Sequence, residues 1–176
     1  MLFDQDIIIP ETLTSDALTV ELLGERTRYS LRVKAADMAA FGTLTGVKLP
    51  AKIGETKSAK KQTIAKLGPD EWIVIADTSE SEKLAESFAK ASSELVCSVT
   101  DVSHRNVAFM LSGGKAAAAI NAGCALDLRL EAFPVGKSTR TVFENAPIWL
   151  MRTGEQEFHI ECWRSFGPYM RDFLVK

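Results

Sequence analysis

The chain has 176 residues, 46% of them hydrophobic and 25% charged, with a net charge of −2. That length can bury roughly 70% of its unfolded surface, so the fold needs no metal or disulfide staple. The slight acidic excess argues against a general nucleic-acid binder, and no apolar run is long enough to span a membrane. Cys97, Cys124 and Cys162 are widely spaced and form no CxxC pair, which predicts reduced thiols in a cytoplasmic protein rather than a disulfide framework or zinc site.

Residues 1–16 read as an N-terminal arm, broken at Pro10, that lies over the surface or onto a partner. Ala17–Leu23 and Thr27–Val33 alternate apolar and polar residues, and Gly24-Glu25 between them predicts a hairpin. Ala35–Gly46 switches to helical spacing and stops at Gly46. The Lys-rich stretch over 51–66 reads as a mobile, solvated loop, or as a basic flap for an anionic ligand or acidic partner. Thr63–Leu67 and Trp72–Ala76, joined by Gly68-Pro69-Asp70, predict a second hairpin. Asp77-Thr78-Ser79 supplies N-caps for a helix with Leu84, Phe88 and Ala91 inside, and Val96–Val102 returns as a strand.

The pattern then repeats. Val107, Phe109 and Leu111 mark a strand, and Ser112-Gly113-Gly114 turns into a short helix. Ala125–Glu131 predicts a helical turn or a short extended piece. Strands follow over Thr139–Phe143, Pro147–Arg152 and Glu157–Cys162, with tight joins, and Ser165–Val175 closes as a helix. DEWIVIA and its helix have a counterpart in QEFHIEC and its helix. The order predicts an α+β fold of duplicated split β-α-β (ferredoxin-like) halves. Residues 17–176 would form a single domain, with halves of about 17–103 and 104–176 sharing a core.

No phosphate-cradling GxxxxGK[ST] and no GxGxxG is present. Gly113-Gly114 could expose amides to an anion or simply make a tight turn. His104 and His159 are too few for a multi-histidine metal site, and His159 with Glu161 predicts a surface pair on a sheet. Asp101, Ser103 and His104 suggest a nucleophile set, yet neighbours on an extended segment diverge, so no catalytic residue and no metal ligand is assigned. The alternatives there are a joint, with Asp101 and Ser103 bonding backbone and Arg105 paired to a carboxylate, or a ligand or partner contact. Arg164 next to Ser165 before the last helix offers the same choice, with Ser165 a good N-cap. Trp72, Trp149 and Trp163 default to core packing; an exposed one would mark an interface.

LGPDEWIVIAD, DVSHRNVAFMLSGGKAAAAINAGCALDLRLEAFPVG and RTVFENAPIWLMRTGEQEFHIECWRSFGPYMRDFL occur in this order from about Leu67 onward. Together they resemble the gamma subunit of heterotetrameric sarcosine oxidase and, more distantly, the folate-binding domain of the glycine-cleavage T protein (an aminomethyltransferase). The resemblance implies a duplicated α+β fold and a non-catalytic subunit that packs on and stabilises alpha, beta and delta subunits. It implies a complex that oxidises sarcosine to glycine and passes the methyl carbon to tetrahydrofolate or releases formaldehyde. FAD, FMN, NAD and tetrahydrofolate would sit on those partners, with none on this chain. No counterpart of the T protein's catalytic aspartate motif is present. The alternative implied is a stand-alone tetrahydrofolate-binding or aminomethyltransferase-like protein.

Overall fold

A computed structural model describes residues 12–15, 17–59 and 61–174. Of the expected N-terminal arm, residues 1–11 and 16 lie outside the described residues, while Thr12–Ser15 form β1, antiparallel to β2 (Leu18–Leu23). The chain divides into two units. One takes the chain up to Gly24, Asn106–Val135 and everything from Arg140; the other takes Glu25–Arg105 and Gly136–Thr139.

The second of these units opens with β3 (Thr27–Val33), followed by a 3-10 turn and α1 (Met38–Thr45). Gly46 ends α1 at φ 72°, and its N–H donates to Gly42 O, a left-handed stop that glycine adopts without a Cβ penalty. Strands β4 (Thr56–Ala59), β5 (Gln62–Lys66) and β6 (Glu71–Ala76) precede α2 (Ser81–Glu94) and β7 (Cys97–Asp101). The sheet order is β4-β5-β6-β3-β7, antiparallel throughout. Alternation puts Tyr29, Leu31 and Val33 into a core with Trp72, Val74, Phe41, Leu84, Phe88 and Ala91. Phe88 packs its ring 4.9 Å edge-on from Tyr29 and 5.8 Å from Phe41. The side chain of Asp77 accepts from Ser79 N at 3.0 Å and so caps the 3-10 turn Thr78–Glu80 that leads into α2, while the N-cap position of α2 itself is Glu80, whose side chain makes no cap bond.

The other unit gains β8 (Asn106–Ser112), α3 (Ala116–Asn121), β9 (Ser138–Phe143), β10 (Ala146–Gly154), β11 (Glu157–Trp163) and α4 (Gly167–Leu174). Its sheet runs β1-β2-β8-β11-β10-β9. Phe109, Leu111, Phe158, Ile160, Ile148 and Leu150 point to one face and meet Ile120, Met170 and Leu174 from the helices. Each unit is thus a split β-α-β arrangement, and β6 with α2 occupies the place that β11 with α4 occupies in its counterpart. The fold is α+β and duplicated, as the sequence predicted.

Two expectations fail. The hairpin of Ala17–Leu23 with Thr27–Val33 does not form: β2 pairs with β1 and β8, and β3 pairs with β6 and β7. The position beside β8 that corresponds to the one β7 fills beside β3 would otherwise be an open edge. β2 fills it, adding Val20 to the core. An edge left bare would expose unpaired N–H and C=O groups, which is why pairing there wins over a local hairpin.

The Lys-rich stretch is also not one solvated loop. Thr56–Ala59 is edge strand β4, Lys61 Nζ donates to Ser79 Oγ at 2.8 Å, and Lys60 lies outside the described residues. Lys66 is buried; its Nζ donates to Ala51 O at 3.0 Å and sits 4.8 Å over the Trp72 ring. A lysine whose charge meets a carbonyl and an aromatic face can leave water. Ala125–Glu131 forms no helix or strand of greater length, and its end makes a single helical turn, closed by Phe133 N donating to Arg129 O at 2.8 Å. Asp127 there is held down at about 2, first by the Arg129 side chain and then by the Arg129 backbone N–H.

Cys162 is buried on the core face of β11. Burial, and after it the Glu161 carboxylate, push its thiol up to about 12. The unfolded chain would give up this proton near the ordinary thiol range, roughly 8.5, before the folded chain does. Because the folded-state value is raised, the contribution to stability is complete below that range and lost as pH climbs toward about 12. Urea midpoints should therefore fall from pH 9 upward, and Cys162→Ala should flatten that fall; an unchanged slope in the variant would reject this assignment.

Candidate functional site

The segment after β7 closes the unit that begins at Glu25, and its residues 103–105 form a turn rather than an extended run. Asp101 Oδ1 accepts from Ser103 N at 2.8 Å and from Ser103 Oγ at 2.6 Å. Ser103 Oγ in turn accepts from Arg28 N at 3.0 Å. Arg28 Nη1 donates to Ser103 O at 3.3 Å and to Arg26 O at 3.2 Å, and Arg28 O accepts from Val102 N at 2.9 Å. The Asp101 carboxylate raises the Tyr29 phenol, after burial, which is the larger cause. This is an Asx turn that ties the end of β7 to β3, the competition of a short polar side chain for backbone groups.

The nucleophile arrangement is absent. The Ser103 hydroxyl donates straight to a carboxylate, whereas activation needs an imidazole between the two. His104 and Arg105 are exposed in the turn, and Arg164 is exposed in a 3-10 turn of the other unit. The Gly113-Gly114 turn offers no anion cradle at Gly113. Gly113 N donates to Gln156 O at 3.0 Å, and Lys115 N donates to Ala17 O at 3.0 Å. A Cβ at Gly113 (φ 112°) would meet Ala17 O at 2.5 Å, so a close backbone approach accounts for this glycine.

A second polar group lies where the sequence predicted a surface pair. His159 and Glu161 are buried, at 7% and 1% exposure. Glu161 Oε1 lies 3.2 Å from His159 Nε2, and Glu161 Oε2 accepts from Asn106 Nδ2 at 2.9 Å. The His159 ring stands 5.6 Å from Trp149, edge to face, and Trp149 Nε1 has no partner among the described residues. Alternation gave His159 and Glu161 one face correctly, but Trp149, Met151 and Ala108 on that face are buried too. An isolated strand pattern cannot reveal that both faces of a sheet are covered. A carboxylate beside an imidazole can orient it, yet no nucleophile completes the set, since Cys162 projects to the opposite face. Among the described residues no three His, Cys, Asp or Glu side chains gather as metal ligands.

The sequence reading missed Arg28, Asn106 and Arg152. Each is a polar residue on a strand, buried at 2%, 8% and 2% exposure. The only signal available was a cation or amide placed inside an otherwise apolar strand run.

The pattern of the sarcosine oxidase gamma subunit family matches residues 32–176. The chain belongs to the sarcosine oxidase gamma subunit family. It is 31% identical over 162 residues to the sarcosine oxidase gamma subunit of Corynebacterium sp. (strain U-96), covering 90% of this chain and 78% of that one. The gamma subunit from an Arthrobacter species is 31% identical over 150 residues, 84% of this chain and 73% of the relative. A chain of the heterotetrameric sarcosine oxidase from Corynebacterium sp. U-96, solved with pyrrole 2-carboxylate, superposes with a TM-score of 0.80 at 28% identity. That match covers 94% of this gamma-family chain and 85% of the solved one. The glycine-cleavage aminomethyltransferase T from Bartonella henselae shares the fold, with a TM-score of 0.68 at 15% identity over 90% of this chain and 45% of that one. Among the described residues no helix is long and apolar enough to cross a membrane.

Proposed function

We propose that this chain is the non-catalytic gamma subunit of a heterotetrameric sarcosine oxidase and that it packs on and stabilises the alpha, beta and delta subunits. The observation that carries the reading is the family match over residues 32–176, joined to a Ser103 hydroxyl that is bound to Asp101 with no imidazole between them. The complex would oxidise sarcosine to glycine, with the methyl carbon passed to tetrahydrofolate or released as formaldehyde. FAD, FMN, NAD and tetrahydrofolate belong, in this reading, to the partner subunits. The residues of this chain support that division, because the amides around Gly113 are spent on Gln156 and Ala17. Cys97, Cys124 and Cys162 are free thiols, which favours a reducing, cytoplasmic setting.

Asp101 and Ser103 hold the turn, on which His104 and Arg105 are the candidate contacts to a partner or ligand, and Arg164 is a separate candidate contact on the other unit. Co-expression tests the proposal. The chain alone should not oxidise sarcosine, and it should co-purify with the larger subunits and raise their thermal stability. A fully active oxidase assembled without it would reject the stabilising role. His104→Ala and Arg105→Ala should weaken co-purification; normal assembly and turnover in both would reduce the segment to a joint. The shared fold of the aminomethyltransferase keeps one rival, a stand-alone tetrahydrofolate binder. Titration calorimetry decides against it if millimolar tetrahydrofolate gives no heat.

A further inference from the structure

We draw no further inference here: the strongest candidate, the aromatic patch of exposed Trp163 and Tyr169 with half-buried Phe166 where β11 passes into α4, is an apolar face, and nothing in the structure shows what covers it.

Discussion

Trp72→Ala is expected to cost about 3–5 kcal/mol of stability, with a fall in melting midpoint on the order of 10 °C. Trp72 is the largest of the fully buried side chains. Its loss opens a cavity between β6 and the residues packed on it, because close-packed interiors relax only partly. It also removes two tethers. Trp72 Nε1 donates to Pro50 O at 2.9 Å, and the ring carries the Lys66 ammonium. Those contacts hold Pro50 and Ala51 against the sheet, so the variant should loosen the segment leading to β4 as well. Trp72→Phe separates the effects. It keeps most of the volume and loses the donor, at about 1–3 kcal/mol for an orphaned buried carbonyl. Equilibrium urea unfolding followed by circular dichroism measures both, and an alanine variant within 1 kcal/mol of wild type would contradict this account of the core.

Arg152→Ala should cost about 2–4 kcal/mol. Arg152 sits on β10 with its guanidinium 2% exposed as a residue and 4.4 Å over the Phe158 ring. Nη1 donates to Glu155 O in the β10–β11 turn, and Nη2 donates to Leu128 O in the irregular segment after α3. One planar cation thus bridges a hairpin turn and a segment with no helix or strand of its own. Without it, the Leu128 carbonyl is left unpaired in a buried place, and Leu128 and Phe133 lose the constraint that seats them in the core. Arg152→Lys should recover only part of the loss, because an ammonium lacks the fork that reaches both carbonyls. The distinguishing measurement is proteolysis at residues 125–136, which should accelerate in Arg152→Ala well before global unfolding. Equal cleavage rates in variant and wild type would reject the clamp.

Most elements were legible in the sequence because their signals are local. The period of two in TRYSLRV and NVAFMLS, the period of 3.6 at Leu84, Phe88 and Ala91, the stop at Gly46 and the Gly68-Pro69-Asp70 turn each depend on a few neighbouring residues. The family was legible for a related reason, since its short motifs keep order and spacing along the chain. The candidate site was only half legible. Asp101 and Ser103 do bond the backbone, as one of the two readings held, but Arg28, which completes that turn, lies 75 positions away in the sequence. The partner of Glu161, Asn106, lies 55 positions away. Sequence-distant partners leave no local pattern.

By itself, then, the sequence determined the α+β class, the duplication and the family, because periodicity and motif order are written in consecutive residues. Only the tertiary structure decided where β2 goes, that His159 and Glu161 are buried, and that Trp163 is not. A strand chooses its partner by which edge would otherwise stand open, and a face is buried or exposed according to what lies on it. Neither is a property of the segment that carries the residues.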